Sequence, residues 1–186
     1  MKRAVVTRSL TLALAAGMLA APSPARAAPA NTNTNTNTNT NANANANANA
    51  TRFDRCFLLA GERYGVSPLL LKAIARQESG LNPAALNRNA NGSTDVGLMQ
   101  INSSWLPVLE RHGVKAGDLH VPCANILVGA WILGGNFRAM GRNADALGAY
   151  NARDPVKRQA YARQVLRHYV ALRAEPGTQD SVGQVR

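Results

Sequence analysis

Residues 67–105 read SPLLLKAIARQESGLNPAALNRNANGSTDVGLMQINSSW, and the organisation of the chain follows from this segment outward. Ser67 offers a hydroxyl N-cap, and Pro68 occupies a first-turn position where a missing N–H costs nothing. A helical period runs from Leu69 to Ser79, and Gly80 supplies a left-handed stop. Counting back from Glu78, Ile74 lies four positions earlier, Leu71 seven and Leu70 eight, so all four side chains share one face. A carboxylate therefore stands at the end of an apolar stripe. Burial disfavours its charged form, and the partial negative charge at the helix C-terminus acts in the same direction. A carboxyl that holds its proton near neutral pH suits a general acid. The same Glu78 also reads as half of a structural ion pair with Arg76 or Arg88. Beyond Gly80 the stretch from Asn82 to Asp95 is rich in Asn, Gly, Ser and Thr, which points to a long loop or a short hairpin.

Helical periods dominate on both sides of this segment. Further helices are expected at about Phe53–Tyr64 (closed by Gly65), Trp105–His112, Cys123–Met140, Ala144–Tyr150 and Pro155–Arg173. No extended strand alternation occurs. The expected class is mainly α: a single domain over 52–175 with a small β element or long polar loop. In the last helix Asp154 is the N-cap and Pro155 the first-turn proline. Its apolar stripe is read as Val156, Ala160, Tyr161, Val165 and Tyr169. Arg153, Lys157, Arg158, Arg163, Arg167 and Arg173 crowd the same region, either as a solvated face or as an attraction for an anionic polymer.

The first fifty residues have a different character. Lys2, Arg3 and Arg8 precede the uncharged run SLTLALAAGMLAA (9–21), and Ala25-Arg26-Ala27 offers a cleavage site, so 1–27 has the three-part pattern of a signal peptide. Export to the periplasm is expected. Residues 28–51, mostly Asn-Thr and Asn-Ala repeats, have no large apolar side chain to offset the entropy of folding and read as a disordered linker. Residues 176–186 read as a flexible tail. The chain carries 21 Lys+Arg against 10 Asp+Glu, a formal +11. Loss of the four basic residues of the signal peptide leaves 17 against 10, or +7. This balance excludes an acidic solvating protein and favours a negatively charged partner. Export and the absence of interleaved aromatics argue against nucleic acid. No apolar run after the signal peptide is long enough to span a membrane.

Cys56 and Cys123 are the two cysteines, too few for a zinc ribbon. In an exported chain an even pair suggests a disulfide, which would be worth about 4 kcal/mol in the chain-entropy model; two separate buried thiols are the alternative. His112, His120 and His168 have no ligand spacing, so no metal is expected.

Asp95 follows Glu78 by seventeen residues, across the polar loop. Two carboxylates in different environments beside a groove is a layout for glycosidic bond cleavage, although Asp95 also reads as a structural residue bonding its own loop. Met99, Gln100 and Asn102 follow, with amides suited to sugar hydroxyls and acetamido groups. Gly148-Ala149-Tyr150-Asn151 brings a phenol and another amide much later. Glu78-Ser79, then Gly97-Leu98-Met99-Gln100, then Ala149-Tyr150-Asn151, in this order and spacing, form a specific composite.

This composite resembles the catalytic domain of the soluble lytic transglycosylases, over nearly all of 52–151. Phe57-Leu58-Leu59-Ala60-Gly61, Pro122-Cys123 and Val128-Gly129-Ala130-Trp131-Ile132-Leu133 are similar to the small invasion-associated and type III secretion-associated members. The run from Asn87 to Trp105 also resembles animal-type lysozyme. The resemblance implies a lysozyme-like fold and cleavage of the MurNAc–GlcNAc β-1,4 bond of peptidoglycan, with Glu78 as the catalytic acid. It implies that Ser79, Gln100, Tyr150 and Asn151 line the sugar site; Met99 and Asn102 complete the expected substrate-binding set. It also implies a 1,6-anhydromuramoyl product, no cofactor, and a type III secretion or similar envelope-spanning machine as partner. A monomer is expected. A muramidase using Glu78 and Asp95, or a wall-binding assembly protein without activity, are the alternatives. Members commonly continue Ala-Tyr-Asn-Ala with glycine, where this chain has Arg153.

Overall fold

The structure is a computed structural model that describes residues 52–175. The expected signal peptide, linker and tail lie outside the described residues. Helix α1 spans Asp54–Tyr64 and closes on Gly65, whose φ of 63° is left-handed. Helix α2 spans Pro68–Ser79; the Ser67 hydroxyl accepts from the Leu70 N–H at 3.2 Å, as its sequence position suggested. Its C-terminus is tied off by two left-handed residues, Gly80 (φ 63°) and Leu81 (φ 66°), whose N–H groups reach back to Arg76 O and Ala75 O. Leu71 and Ile74 are fully buried on the face that ends at Glu78.

The polar loop is a hairpin with a third short strand. Strand β1 (Leu86–Arg88) pairs antiparallel with β2 (Thr94–Val96), and β2 with β3 (Ile101–Asn102), in the order β1-β2-β3. Asp95 stands opposite Asn87 on one side and Asn102 on the other.

The helix expected over Trp105–His112 is broken into a 3₁₀ turn (Ser103–Trp105), a short α3 (Leu106–Leu109) and a second 3₁₀ turn (Glu110–His112). Pro107 lacks an N–H and tolerates only the first turn of a helix, and Gly113 stops the run with φ 80°. A further 3₁₀ turn at Ala116–His120 had no sequence signal. Helix α4 (Pro122–Met140) runs through the centre, burying Ile126, Val128, Ala130, Ile132 and Leu133. Helix α5 covers only Ala144–Gly148, releasing Tyr150 and Asn151 into a turn. Helix α6 spans Pro155–Arg173, capped as expected by Asp154, whose carboxylate accepts from the Lys157 N–H at 2.9 Å. Helix α6 packs on α2 and α5, and α1 packs on α2 and α4.

One part of the expected α6 stripe is corrected. Val156 is 75% exposed, whereas Tyr161, Ala162, Val165 and Leu172 form the buried face. Val156 stands five positions from Tyr161 and nine from Val165, spacings that turn it away from that face. Cys56 and Cys123 are joined in a disulfide, with Cα atoms 5.1 Å apart, which fastens the start of α1 to the start of α4. No helix among the described residues is long and apolar enough to cross a membrane, and no group of three or more possible metal ligands occurs among them. The architecture is mainly α with one small sheet, as expected.

Candidate active site

A cleft of about 1030 Å³ opens between the sheet, the end of α2 and the turn after α5. The sequence fixes its acidic corner locally: α2 runs to Ser79, so its last turn places Glu78 at the cleft wall while Leu71 and Ile74 anchor the same face in the core. Oε1 of Glu78 accepts a hydrogen bond of 2.5 Å from the phenol of Tyr161, on α6. Among the described residues the ion pairs are Lys72–Asp54, Arg76–Glu175 and Arg158–Asp145. The ion pair considered for Glu78 is therefore absent: Arg76 is engaged by Glu175, Arg88 lies exposed on β1, and a neutral phenol is the partner instead.

Burial pushes the Glu78 carboxyl up from 4.5 to about 6. The Tyr161 hydrogen bond acts against this by favouring the charged form, and the nearby negative charge of Asp95 adds to the rise. Burial, then the charge of Glu78, holds Tyr161 far above the ordinary phenol range, so it remains a donor at any accessible pH. Tyr150 is raised well above its usual value for the same reasons. The two rings stack, with centroids 6.4 Å apart and planes at 13°. Glu78 thus sits against a stacked aromatic pair, and its burial there raises its affinity for a proton.

Asp95 reaches the same cleft by a different route. It is the central residue of β2, and side-chain amides from both flanking segments converge on it. Oδ1 accepts from Asn102 Nδ2 at 2.7 Å; Oδ2 accepts from Asn89 Nδ2 at 2.9 Å and from Asn87 Nδ2 at 3.4 Å. Both oxygens are occupied by fixed donors, so Asp95 is a held charge and not a free carboxylate. The structural reading of Asp95 described the loop backbone; the donors are side chains instead.

Gln100, Asn102, Tyr150 and Asn151 all line the cleft. Gln100 adopts a left-handed φ of 46° and donates Nε2 to Gly97 O at 2.9 Å, which holds its amide at the floor. Ser79 and Met99 are placed behind the wall. The Ser79 hydroxyl donates to Leu98 O at 2.8 Å, stitching the end of α2 to the segment after β2. The Met99 side chain is fully buried, while its carbonyl accepts from the Tyr150 hydroxyl at 3.0 Å. Both position the lining residues from behind. Gly129 on α4 makes room for this pair: a Cβ there would lie 2.7 Å from Met99 Cε and 3.0 Å from the Tyr150 hydroxyl.

Four contributors went unrecognised in the sequence. Tyr161 was read only as core, although a tyrosine on a buried stripe needs a partner for its hydroxyl. Asn125 is fully buried; it accepts from Met99 N at 2.8 Å and donates to Val96 O and Leu119 O at 2.8 and 2.9 Å. It fastens the floor of the cleft to α4, and its signal was a lone amide within the apolar run of that helix. Asn87 and Asn89, which hold Asp95, could not be told apart from ordinary loop asparagines.

Comparison with known proteins agrees with this geometry. A family model described as the transglycosylase SLT domain matches residues 55–166, more than half of the chain. Invasion protein IagB of Salmonella typhimurium is 38% identical over 128 residues, covering 66% of this chain and 80% of IagB. Protein IpgF of Shigella flexneri is 40% identical over 125 residues, covering 64% of this chain and 82% of IpgF. The fold is similar to that of the lytic transglycosylase Slt of Pseudomonas aeruginosa, solved as an inactive mutant, with a TM-score of 0.54 and 23% identity. That match covers 65% of this chain and 24% of the larger protein. The match of that family model over more than half of the chain shows that this chain, with its mainly helical frame, belongs to the transglycosylase SLT domain family.

Proposed function

We propose that this protein cleaves the MurNAc–GlcNAc β-1,4 bond of peptidoglycan without consuming water, leaving a 1,6-anhydromuramoyl end. The observation that carries the reading is Glu78: a cleft carboxyl whose pKa is raised to about 6, facing a phenol and not a cation. Protonated Glu78 gives its proton to the glycosidic oxygen as the bond to C1 breaks. The carboxylate so formed takes a proton from the C6 hydroxyl of the same muramoyl unit, whose oxygen closes on C1. One group thus acts as acid and then as base, and a pKa near the working pH serves both steps. Asp95 supports this as a fixed negative charge that raises the proton affinity of Glu78 and stabilises positive charge developing at C1. Asn151 offers its amide, and Gln100 its amide oxygen, to the sugar hydroxyl and acetamido groups, while the Asn102 amide is engaged by Asp95, Ser93 and the Ser104 N–H.

One feature opposes a hydrolytic route through Asp95: both of its oxygens accept from amides, which stabilises the carboxylate and weakens it as a nucleophile. Mass spectrometry of the muropeptide products tests the choice. Anhydro ends are expected; reducing ends in their place would make the enzyme a muramidase. Zymography of Glu78→Gln beside the wild type separates an enzyme from a wall-binding protein, since equal clearing by the two would remove Glu78 from the reaction. On the name of IagB and the resemblance to secretion-associated members, the reaction serves to open the wall for an envelope-spanning apparatus, after export directed by residues 1–27.

A further inference from the structure

Among the described residues that line the cleft, Arg153 is the one cation, and the other charged members are Glu78 and Asp95. It is exposed and has no hydrogen bond or ion pair among the described residues. The neighbouring Asp154 carboxylate accepts from the Lys157 N–H at 2.9 Å and forms no ion pair with Arg153. The backbone that carries it is fastened on both sides. Tyr150 is bonded to Met99 O, and Arg158 donates Nε to Ala152 O at 3.0 Å while its guanidinium pairs with Asp145. Gly148 is pressed against α6 so closely that a Cβ would lie 2.3 Å from Arg158 O. The turn 148–154 is therefore held on both sides, and it brings an unpaired Arg153 to the cleft together with Asn151.

We infer that Arg153 forms an anion subsite that binds a carboxylate of the glycan strand while the scissile bond lies at Glu78. This deepens the proposed function and rests on it for the identity of the strand. A planar guanidinium takes a carboxylate in bidentate fashion, and charge is otherwise absent from the cleft's positive side. Peptidoglycan offers two such carboxylates: those of the stem peptide and, on strands stripped of peptide, that of the muramoyl lactyl group. Either makes the enzyme selective for muramoyl strands with free acid groups over neutral glycans of the same backbone.

The test uses soluble peptidoglycan strands in three forms: native, amidated at their carboxyl groups by carbodiimide and ammonia, and stripped of peptide by an amidase. The readout is the ratio of kcat/KM on native strands to that on amidated strands, for wild type, Arg153→Ala and Arg153→Lys. The wild type is expected to favour native strands on the order of five-fold, the scale of one partly exposed charge-assisted contact. The ratio falls to near one in Arg153→Ala and is partly kept in Arg153→Lys, which retains the charge but not the fork. The arms assign the source: the native-to-amidated ratio reads the stem-peptide carboxylates, because the lactyl group of native strands is held in an amide bond, and stripped strands compared before and after the same amidation read the lactyl carboxylate. An unchanged ratio in Arg153→Ala overturns the subsite. Should the wild type cleave none of the three, the proposed function fails separately, and co-sedimentation of Glu78→Gln and Glu78→Gln/Arg153→Ala with native and amidated strands still decides the subsite by the same ratio.

Discussion

Tyr161 and Glu78, 83 positions apart in sequence, are joined by a 2.5 Å hydrogen bond in which the phenol donates. Helix α6 thus packs over the α2 core and supplies the hydrogen-bond donor to the candidate acid. Burial raises the carboxyl and the phenol lowers it, and burial is the larger effect, since the result stands at about 6.

The pH dependence of activity follows. Glu78 must carry a proton to act, so kcat/KM is expected to be flat below pH 6 on its account and to fall tenfold per unit well above it. A pH–rate profile of purified protein on soluble strands measures this limb. A limb near the ordinary glutamate value would contradict the assignment.

Removal of the phenol shifts that limb in a definite direction. Tyr161→Phe deletes the interaction that favours the charged carboxylate, so the apparent pKa is expected to move up from about 6, extending activity to higher pH while the fold is kept. A downward shift, or none, would show that the bond does not govern the proton.

Glu78 also links stability to pH. Its folded pKa, about 6, exceeds the unfolded 4.5, so the folded state binds the proton more tightly. The associated stability is present below pH 4.5 and is lost as pH rises through about 6, with a size of about 2 kcal/mol for this partly buried group. Glu78→Gln is therefore expected to melt higher than the wild type at pH 7 and to narrow that gap at pH 4, while its kcat drops at least about a hundredfold. Thermal melts across this range check the sign.

The floor of the cleft depends on two buried positions. Asn125→Ala leaves Met99 N, Val96 O and Leu119 O without their partner, which costs roughly 2–4 kcal/mol. Gly129→Ala forces Met99 and Tyr150 aside and is expected to reduce activity with a smaller stability loss of about 1–3 kcal/mol. Chemical denaturation beside zymography separates these outcomes; wild-type stability in Asn125→Ala would contradict the role given to the amide.

The disulfide gives a further check. It spans a sequence separation of 67, which corresponds to about 4 kcal/mol in the chain-entropy model. Cys56→Ser/Cys123→Ser, or reduction, is expected to lower the denaturation midpoint accordingly, with the reaction specificity unchanged in whatever remains folded.

The helices α1, α2, α4 and α6 were legible in the sequence because their signals are local: Ser67 and Asp154 as caps, Pro68 and Pro155 in first turns, Gly65 and Gly80 as stops. Glu78 was legible for the same reason, since four- and seven-residue spacings alone place it on the Leu71–Ile74 face. Periodicity could not say which of two nearby faces of α6 turns inward, and Val156 was misplaced; nor did it weigh Pro107 strongly enough to break the helix at Trp105–His112. Tertiary structure alone decided that Tyr161 meets Glu78, that three asparagines occupy Asp95, and that Ser79 and Met99 stand behind the wall they were expected to line. Those relations depend on the packing of segments distant in sequence, which no local period encodes. Local chemistry set each element's ends and apolar face, and the burial of those faces against one another set where every polar side chain could find its partner.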